Sequence, residues 1–247
     1  MVRVLVSMAD TLVSDFDAVD LFYDLVMSCT DLLDVAQAGL LLTDGNGELR
    51  VVAASSEATG VLELLELENP GGGPGKEAFR TGRPVRTGEL AGSQARHRWP
   101  GFEEAALSAG FRAVTAVPMR LRGQVLGALN LFLTEAVDLT DEDLVVAQAL
   151  ADLATIAILQ DRLTIDDRTL ISQLRTALET RVVIEQAKGI VAHDSGLTMD
   201  EAFGRIRNHA RNSNERLRDI AAAIVSGDLT SRHLNISLLG LVFPFLA

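Results

Sequence analysis

The chain has 247 residues, 48% of them hydrophobic and 23% charged, with a net charge of −12. That length and apolar content suit one or two globular domains with full cores and exclude a disordered chain. A single cysteine, Cys29, excludes an internal disulfide and a cysteine-rich zinc site, and it fits a reducing compartment.

The charge is uneven. Residues 1–165 hold 12 Lys+Arg against 24 Asp+Glu, whereas residues 166–229 hold 9 against 10. The acidic first part is a poor partner for nucleic acid. Within 205–218, Arg205, Arg207, Arg211, Arg216 and Arg218 face only Glu215, so a polyanion would dock on the C-terminal region. The N-terminal MVRVLVSMAD lacks the apolar run and cleavage site of a signal peptide, and no apolar run is long enough for a bilayer. The expectation is a cytoplasmic protein with no membrane partner.

Residues 15–34 read as an amphipathic helix, with Phe16, Val19, Tyr23, Val26, Thr30 and Leu33 at spacings of three and four. Cys29 beside this stripe reads as a small buried hydrophobe. Two β-like runs follow, 38–43 and 48–54, joined by Asp44-Gly-Asn-Gly47, whose residues tolerate positive φ. Residues 60–68 are expected to be helical, and Asn69-Pro-Gly-Gly-Gly-Pro-Gly75 breaks them. No Gly-Lys-Ser/Thr helix start follows a strand there, so the glycines read as a plain loop before a short helix.

A short strand at 85–87 and a polar loop at 92–101, carrying His97, Arg98 and Trp99, come next, then a helix over 103–109. Residues 113–121 and 124–133 are the better strands, β-branched and alternating, joined by Arg122-Gly123. Pro118 predicts an edge or a bulge. Thr140-Asp-Glu-Asp143 opens a helix running to Leu163 that is apolar on several faces, so it must be buried against a sheet, a partner chain, or both. Residues 161–168 form the expected junction, where nothing breaks a helix.

This order predicts an α+β domain with an antiparallel sheet and flanking helices. It resembles the GAF domain over residues 15–160. The resemblance rests on Thr43-Asp-Gly-Asn-Gly47, Gly82-Arg-Pro-Val85, Ala116-Val-Pro-Met119, Gly127-Ala-Leu-Asn-Leu131 and Leu139-Thr-Asp-Glu-Asp143. It implies a sensory module with a small-molecule pocket between sheet and loops, and dimerisation through terminal helices.

Beyond the junction, a helix is expected over 170–191, with Leu170, Leu174, Ala177, Ile184 and Val191 as its stripe and Arg181 and Lys188 at the stripe's exposed edge. Gly196 stops it. Thr198-Met-Asp-Glu201 is a capping box for a second helix that buries Ala202, Phe203, Ile206 and Ala210. Asn212-Ser-Asn214 reads as a turn capping a third helix that buries Leu217, Ile220, Ala221, Ile224 and Val225 and ends at Gly227. Three helices so closely spaced make a small bundle. Arg207 and Arg211, four apart, share a face, and Arg205 lies roughly opposite Arg207. On these residues alone, a nucleic-acid face and an ordinary solvated helical surface explain the arginines equally well.

Residues 166–227 resemble an ANTAR domain, the RNA-binding module of AmiR- and NasR-type transcription antiterminators. The residues carrying the resemblance are Ala177-Leu178, Arg181, Ile184-Glu-Gln-Ala-Lys-Gly-Ile190, Glu201-Ala-Phe203, Arg207, Ala210, Asn214, Leu217 and Asp219-Ile-Ala221. It implies a dimeric three-helix unit that binds paired hairpins in leader RNA. Carried onto this chain, the RNA-facing residues are Arg181, Lys188, Arg207, Arg211, Asn214 and Arg216, cations on phosphates and polar groups on loop bases.

The domains are thus expected at 15–160, 161–229 and an apolar tail, 230–247, that straps over a core or an interface. Four histidines lack metal-ligand spacing, and no nucleophile elbow or P-loop occurs, so neither an enzyme nor a cofactor is expected. The expected function is signal-responsive antitermination. A protein-interaction adaptor, or a small-ligand sensor without a nucleic-acid target, is the alternative.

Overall fold

The computed structural model describes residues 18–44, 47–121, 123–160, 168–231 and 234. Its elements are, in order, α1 (Ala18–Leu32), β1 (Gln37–Thr43), β2 (Leu49–Ala54), α2 (Glu57–Glu68), α3 (Pro74–Thr81), β3 (Val85–Thr87), α4 (Ser93–Arg98) and α5 (Phe102–Ser108). Then follow β4 (Ala113–Leu121), β5 (Gln124–Leu133), α6 (Asp141–Gln160), α7 (Arg168–Ser195), α8 (Met199–Ser213) and α9 (Leu217–Ser226). The chain divides into two compact units between Leu178 and Glu179.

In the first unit the described strands form one antiparallel sheet in the order β2-β1-β5-β4-β3. Helices α1 and α6 cover one face, and α2, α3, α4 and α5 lie on the other. Pro118 is tolerated for the expected reason: β3 pairs only with Val114–Ala116, so β4 is an edge by residue 118, and its register with β5 shifts at Met119/Arg120. Helix α1 is buried on more than its expected stripe, with Leu21, Phe22 and Leu25 as inaccessible as Val26. Phe16 lies outside the described residues. Cys29 is fully buried, and burial pushes its thiol up to about 12, so it packs as a small hydrophobe.

The expected polar loop at 92–101 is corrected. It contains α4, and Trp99 is 2% exposed in the core, edge-on to Phe102 at 6.5 Å. The polar neighbours misled the reading: Trp99 turns inward because Glu77 accepts its indole N–H at 3.1 Å, which satisfies the one donor it buries.

Helix α6 buries Ala147, Leu150, Ala151 and Ala154, and packs on β4. Thr140 caps it through the Asp143 N–H at 3.1 Å. It is described to Gln160, and α7 begins at Arg168; the expected continuity between them falls on residues 161–167, outside the described set.

In the second unit, Ile184, Ala187 and Val191 of α7, Ala202, Phe203, Ile206 and Ala210 of α8, and Leu217, Ile220, Ala221 and Ile224 of α9 are buried, whereas Val225, expected on the same buried face, is 39% exposed. Gly196 takes φ +64 and Gly227 φ +84, as their stop positions require. The Thr198/Glu201 capping box is complete. The turn at 212–214 departs from expectation: α8 runs through Ser213, and Asn214 ends it in the left-handed conformation at φ 55, while Arg216 starts α9 without a side-chain cap. Of the tail, Thr230, Ser231 and Leu234 are described, and Leu234 is buried.

Candidate functional site

The six residues expected to face RNA do not stand alike. On α8, Arg211 is exposed and Arg207 half-buried, one turn apart on one side of the helix. Arg181 is half-buried on α7. Lys188 is a correction: expected at an exposed edge, it is 6% exposed. Its ammonium lies 2.8 and 3.1 Å from the two Glu185 oxygens and 5.7 Å from the centre of the Phe203 ring. The ion pair, within α7, and the ring compensate the buried charge, and the ring contact ties α7 to α8. Lys188 lies four residues after Ile184 and three before Val191, on the apolar side of α7 and not at its exposed edge, and the Phe203 ring of α8 lies over it.

Asn214 is exposed, and its conformation explains the residue type, since asparagine tolerates the left-handed region that closes α8. Beside it, Arg216 lines a cleft of about 690 Å³ together with His209, Glu215, Asp219 and Asp228. Three carboxylates there make the cleft a poor place for phosphate. Of the six, Arg207 and Arg211 share one side of α8, and Arg181 lies on α7.

The first unit holds two polar features of its own. A cavity of about 530 Å³ lies between the glycine loop and α3, lined among others by Gly72, Lys76, Glu77, Arg80, Arg98 and Trp99. Glu77 organises one wall: one oxygen pairs with Arg98, the other accepts from Trp99, and the Arg98 guanidinium stacks 4.6 Å from the centre of the Trp99 ring.

Behind this cavity lies a feature that spacing alone did not reveal. Helix α2 buries Thr59, Leu62, Glu63 and Glu66 at helical spacing and exposes Val61, Leu64 and Leu65 at 49, 44 and 40%. Both glutamates are fully buried and converge on the side-chain amide of Asn130 in β5. Glu66 also accepts the Lys76 N–H at 2.5 Å, so it caps α3, whose own N-cap, Gly73, has no side chain. The helix carries four glutamates, Glu57, Glu63, Glu66 and Glu68, and the two that are a turn apart at its middle are the buried ones.

Among the described residues, no group of three or more His, Cys, Asp or Glu is arranged to hold a metal ion, and no helix is long and apolar enough to cross a membrane.

Comparison with known proteins agrees with this architecture. The family profile of the GAF domain matches residues 20–159, and that of the ANTAR domain matches residues 172–225. The GAF domain of a phosphoenolpyruvate-protein phosphotransferase from Coxiella burnetii is similar at 15% identity and a TM-score of 0.52, over 66% of this chain and 95% of that one. The GAF domain of the corresponding Acinetobacter protein is similar at 15% identity and a TM-score of 0.50, over 67% and 96%. At such identities the likeness shows the fold alone. The search of curated proteins gave no match. With more than half its length matched, the chain belongs to the GAF-domain family and carries an ANTAR domain after it, the architecture of a regulator that joins a sensor module to an RNA-binding antitermination module.

Proposed function

We propose that the protein is a signal-responsive antitermination regulator that grips hairpins in leader RNA through α7, α8 and α9. The observation that carries this reading is the ANTAR domain over residues 172–225. Arg207, Arg211 and Arg181 hold phosphates, and Arg216 and Asn214 reach toward loop bases at the far end of α8. Lys188 serves the interface indirectly, by fixing α7 against α8. With 9 basic against 10 acidic residues over 166–229, one module has little net attraction for RNA, so a homodimer presenting two modules to two hairpins supplies the affinity. The GAF domain provides the input, and a small molecule in the 530 Å³ cavity is the natural signal. The GAF and ANTAR pairing supports a regulatory role for the chain.

The test is an electrophoretic shift of leader-RNA hairpins by the full chain at two salt concentrations, with sedimentation to read the dimer. Binding that weakens with salt is expected, and Arg211→Ala should lower affinity about tenfold and reduce the salt slope by about 1. If no hairpin binds in a salt-sensitive manner, and wild type and Arg207→Ala behave alike, the reading is wrong. A nuclease-resistant protein partner in a pull-down would then favour the adaptor.

A further inference from the structure

The Glu63–Glu66–Asn130 cluster is costly to build, and the fold has been cleared to contain it. A Cβ on Gly39 of β1 would stand 2.1 Å from Glu63 Oε1, one on Gly73 2.6 Å from Glu66 Cδ, and one on Gly75 of α3 2.7 Å from Asn130 Nδ2. Three glycines, one in β1 and two at the start of α3, thus leave room for three buried polar side chains.

The Asn130 amide is shared among more oxygens than it has hydrogens. Asn130 Nδ2 carries two, yet three carboxylate oxygens lie within 3.0 Å of it: Glu63 Oε1 at 3.0, Glu63 Oε2 at 2.9 and Glu66 Oε2 at 2.9 Å. Asn130 Oδ1, equally buried, has no donor at all. One added proton on the carboxylate pair relieves the donor shortage. Two carboxylates that share one amide at full burial cannot both ionise without a large penalty, so they titrate as a pair.

We propose that this pair is a proton-responsive latch of the GAF domain: the two carboxyls hold one proton between them, and releasing it to solvent charges both, which draws Glu66 harder onto the first turn of α3 and sets it against Glu63, reshaping the glycine loop and the adjoining cavity. The proton passes to water or buffer base, and no other bond is made or broken.

The coupling follows from shared parts. Gly73 and Lys76 line the cavity on one side and touch or bond Glu66 on the other. Lys76 of α3 acts on Glu66 through its ammonium, Glu63 lies on the same helix, and Glu103 of α5 is turned to Arg96 at 3.4 Å. β1 and β5 contribute Gly39, Leu41 and Asn130, none of them ionisable. Burial, the largest influence, pushes Glu66 up to about 7, against the opposing pull of the Lys76 N–H, the Asn130 amide, the Lys76 ammonium and the Gly75 N–H. The latch concerns the GAF domain alone and does not depend on the nature of the output ligand.

The experiment is a pH titration of the full chain carrying ¹³C-carboxyl glutamate, with emission from Trp99, the only tryptophan, read in parallel. Trp99 bonds to Glu77, the neighbour of Lys76, so it reports on α3. A glutamate carboxyl that titrates near neutrality, with emission following it, is expected. In Glu66→Gln, whose amide oxygen still accepts the Lys76 N–H, both changes should vanish. Removing the like charge in Glu63→Gln should weaken proton binding at Glu66 at least tenfold. The latch is refuted if every glutamate titrates in its ordinary range, if the titration persists in Glu66→Gln, or if emission is unmoved while the carboxyl titrates. A neutral-range emission change that survives in Glu66→Gln but is lost in His97→Gln belongs to His97 and also refutes it.

Discussion

Gly39→Ala should destabilise the first unit severely, for a reason local to one atom pair. The new Cβ would lie 2.1 Å from Glu63 Oε1, 2.7 Å from its Cδ and 2.8 Å from its Cγ. Glu63 is fully buried, and Gly39 pairs with Ala54 and Asn130 in the sheet interior, so neither side can yield into solvent. Overpacking of a tight core costs about 1–3 kcal/mol. Displacing the carboxylate also breaks its bonds to Asn130, about 1.5–3 kcal/mol for hydrogen bonds to a charged group. The sum, roughly 3–5 kcal/mol, should lower the melting temperature of this unit by on the order of 10 °C. Urea and thermal unfolding followed by Trp99 emission measure it, because that side chain sits in the core of this unit. The decisive comparison is Gly39→Ala in a Glu63→Ala background, where the space is free. There its cost should fall below about 1 kcal/mol, a coupling expected of residues in contact. Equal cost in both backgrounds would refute the reasoning.

Stability should also depend on pH in a definite sense. The Glu66 carboxyl is raised from 4.5 to about 7 in the folded protein, so its contribution is fully present below pH 4.5 and is lost as pH rises through about 7. The loss approaches about 3 kcal/mol at 1.36 kcal/mol per tenfold change in proton affinity; Glu66→Gln should flatten that decline in urea titrations, and a rise with pH over this window would contradict it. Asn214 occupies the left-handed region at φ 55, so Asn214→Ala should cost about 1 kcal/mol in thermal unfolding of the second unit while Asn214→Gly is near neutral; equal effects would remove the conformational argument. Lys188→Met should keep the second unit within about 1 kcal/mol of wild type, since the Glu185 side chain it leaves behind is 35% exposed and is solvated by water. Its RNA affinity should exceed that of Arg211→Ala, and a loss as large as that variant's in a folded Lys188→Met protein would restore Lys188 as a direct phosphate contact.

Much of the architecture was legible because its signals are local. The Thr198/Glu201 box, the stops at Gly196 and Gly227 and the alternation over 113–133 each depend on neighbours within a turn or a strand, and backbone sterics allow few other outcomes. The chemistry of Trp99, Lys188 and Glu66 was not legible, because each is settled by a group distant in the chain or by the packing of another helix. Trp99 needs an acceptor twenty-two residues away at Glu77, and Lys188 is covered only when Phe203 arrives from α8.

Glu66 marks the division most sharply. Sequence alone determined a short helix over 60–68 with three glutamates, Glu63, Glu66 and Glu68, ordinarily solvated. Tertiary structure turned Glu63 and Glu66 inward, because Asn130 of β5 and the uncapped start of α3 supply the hydrogen bonds a buried carboxylate requires, and three glycines supply the room. Helical periodicity determines which residues share a side; only the donors and the space waiting in the rest of the fold decide which side is buried.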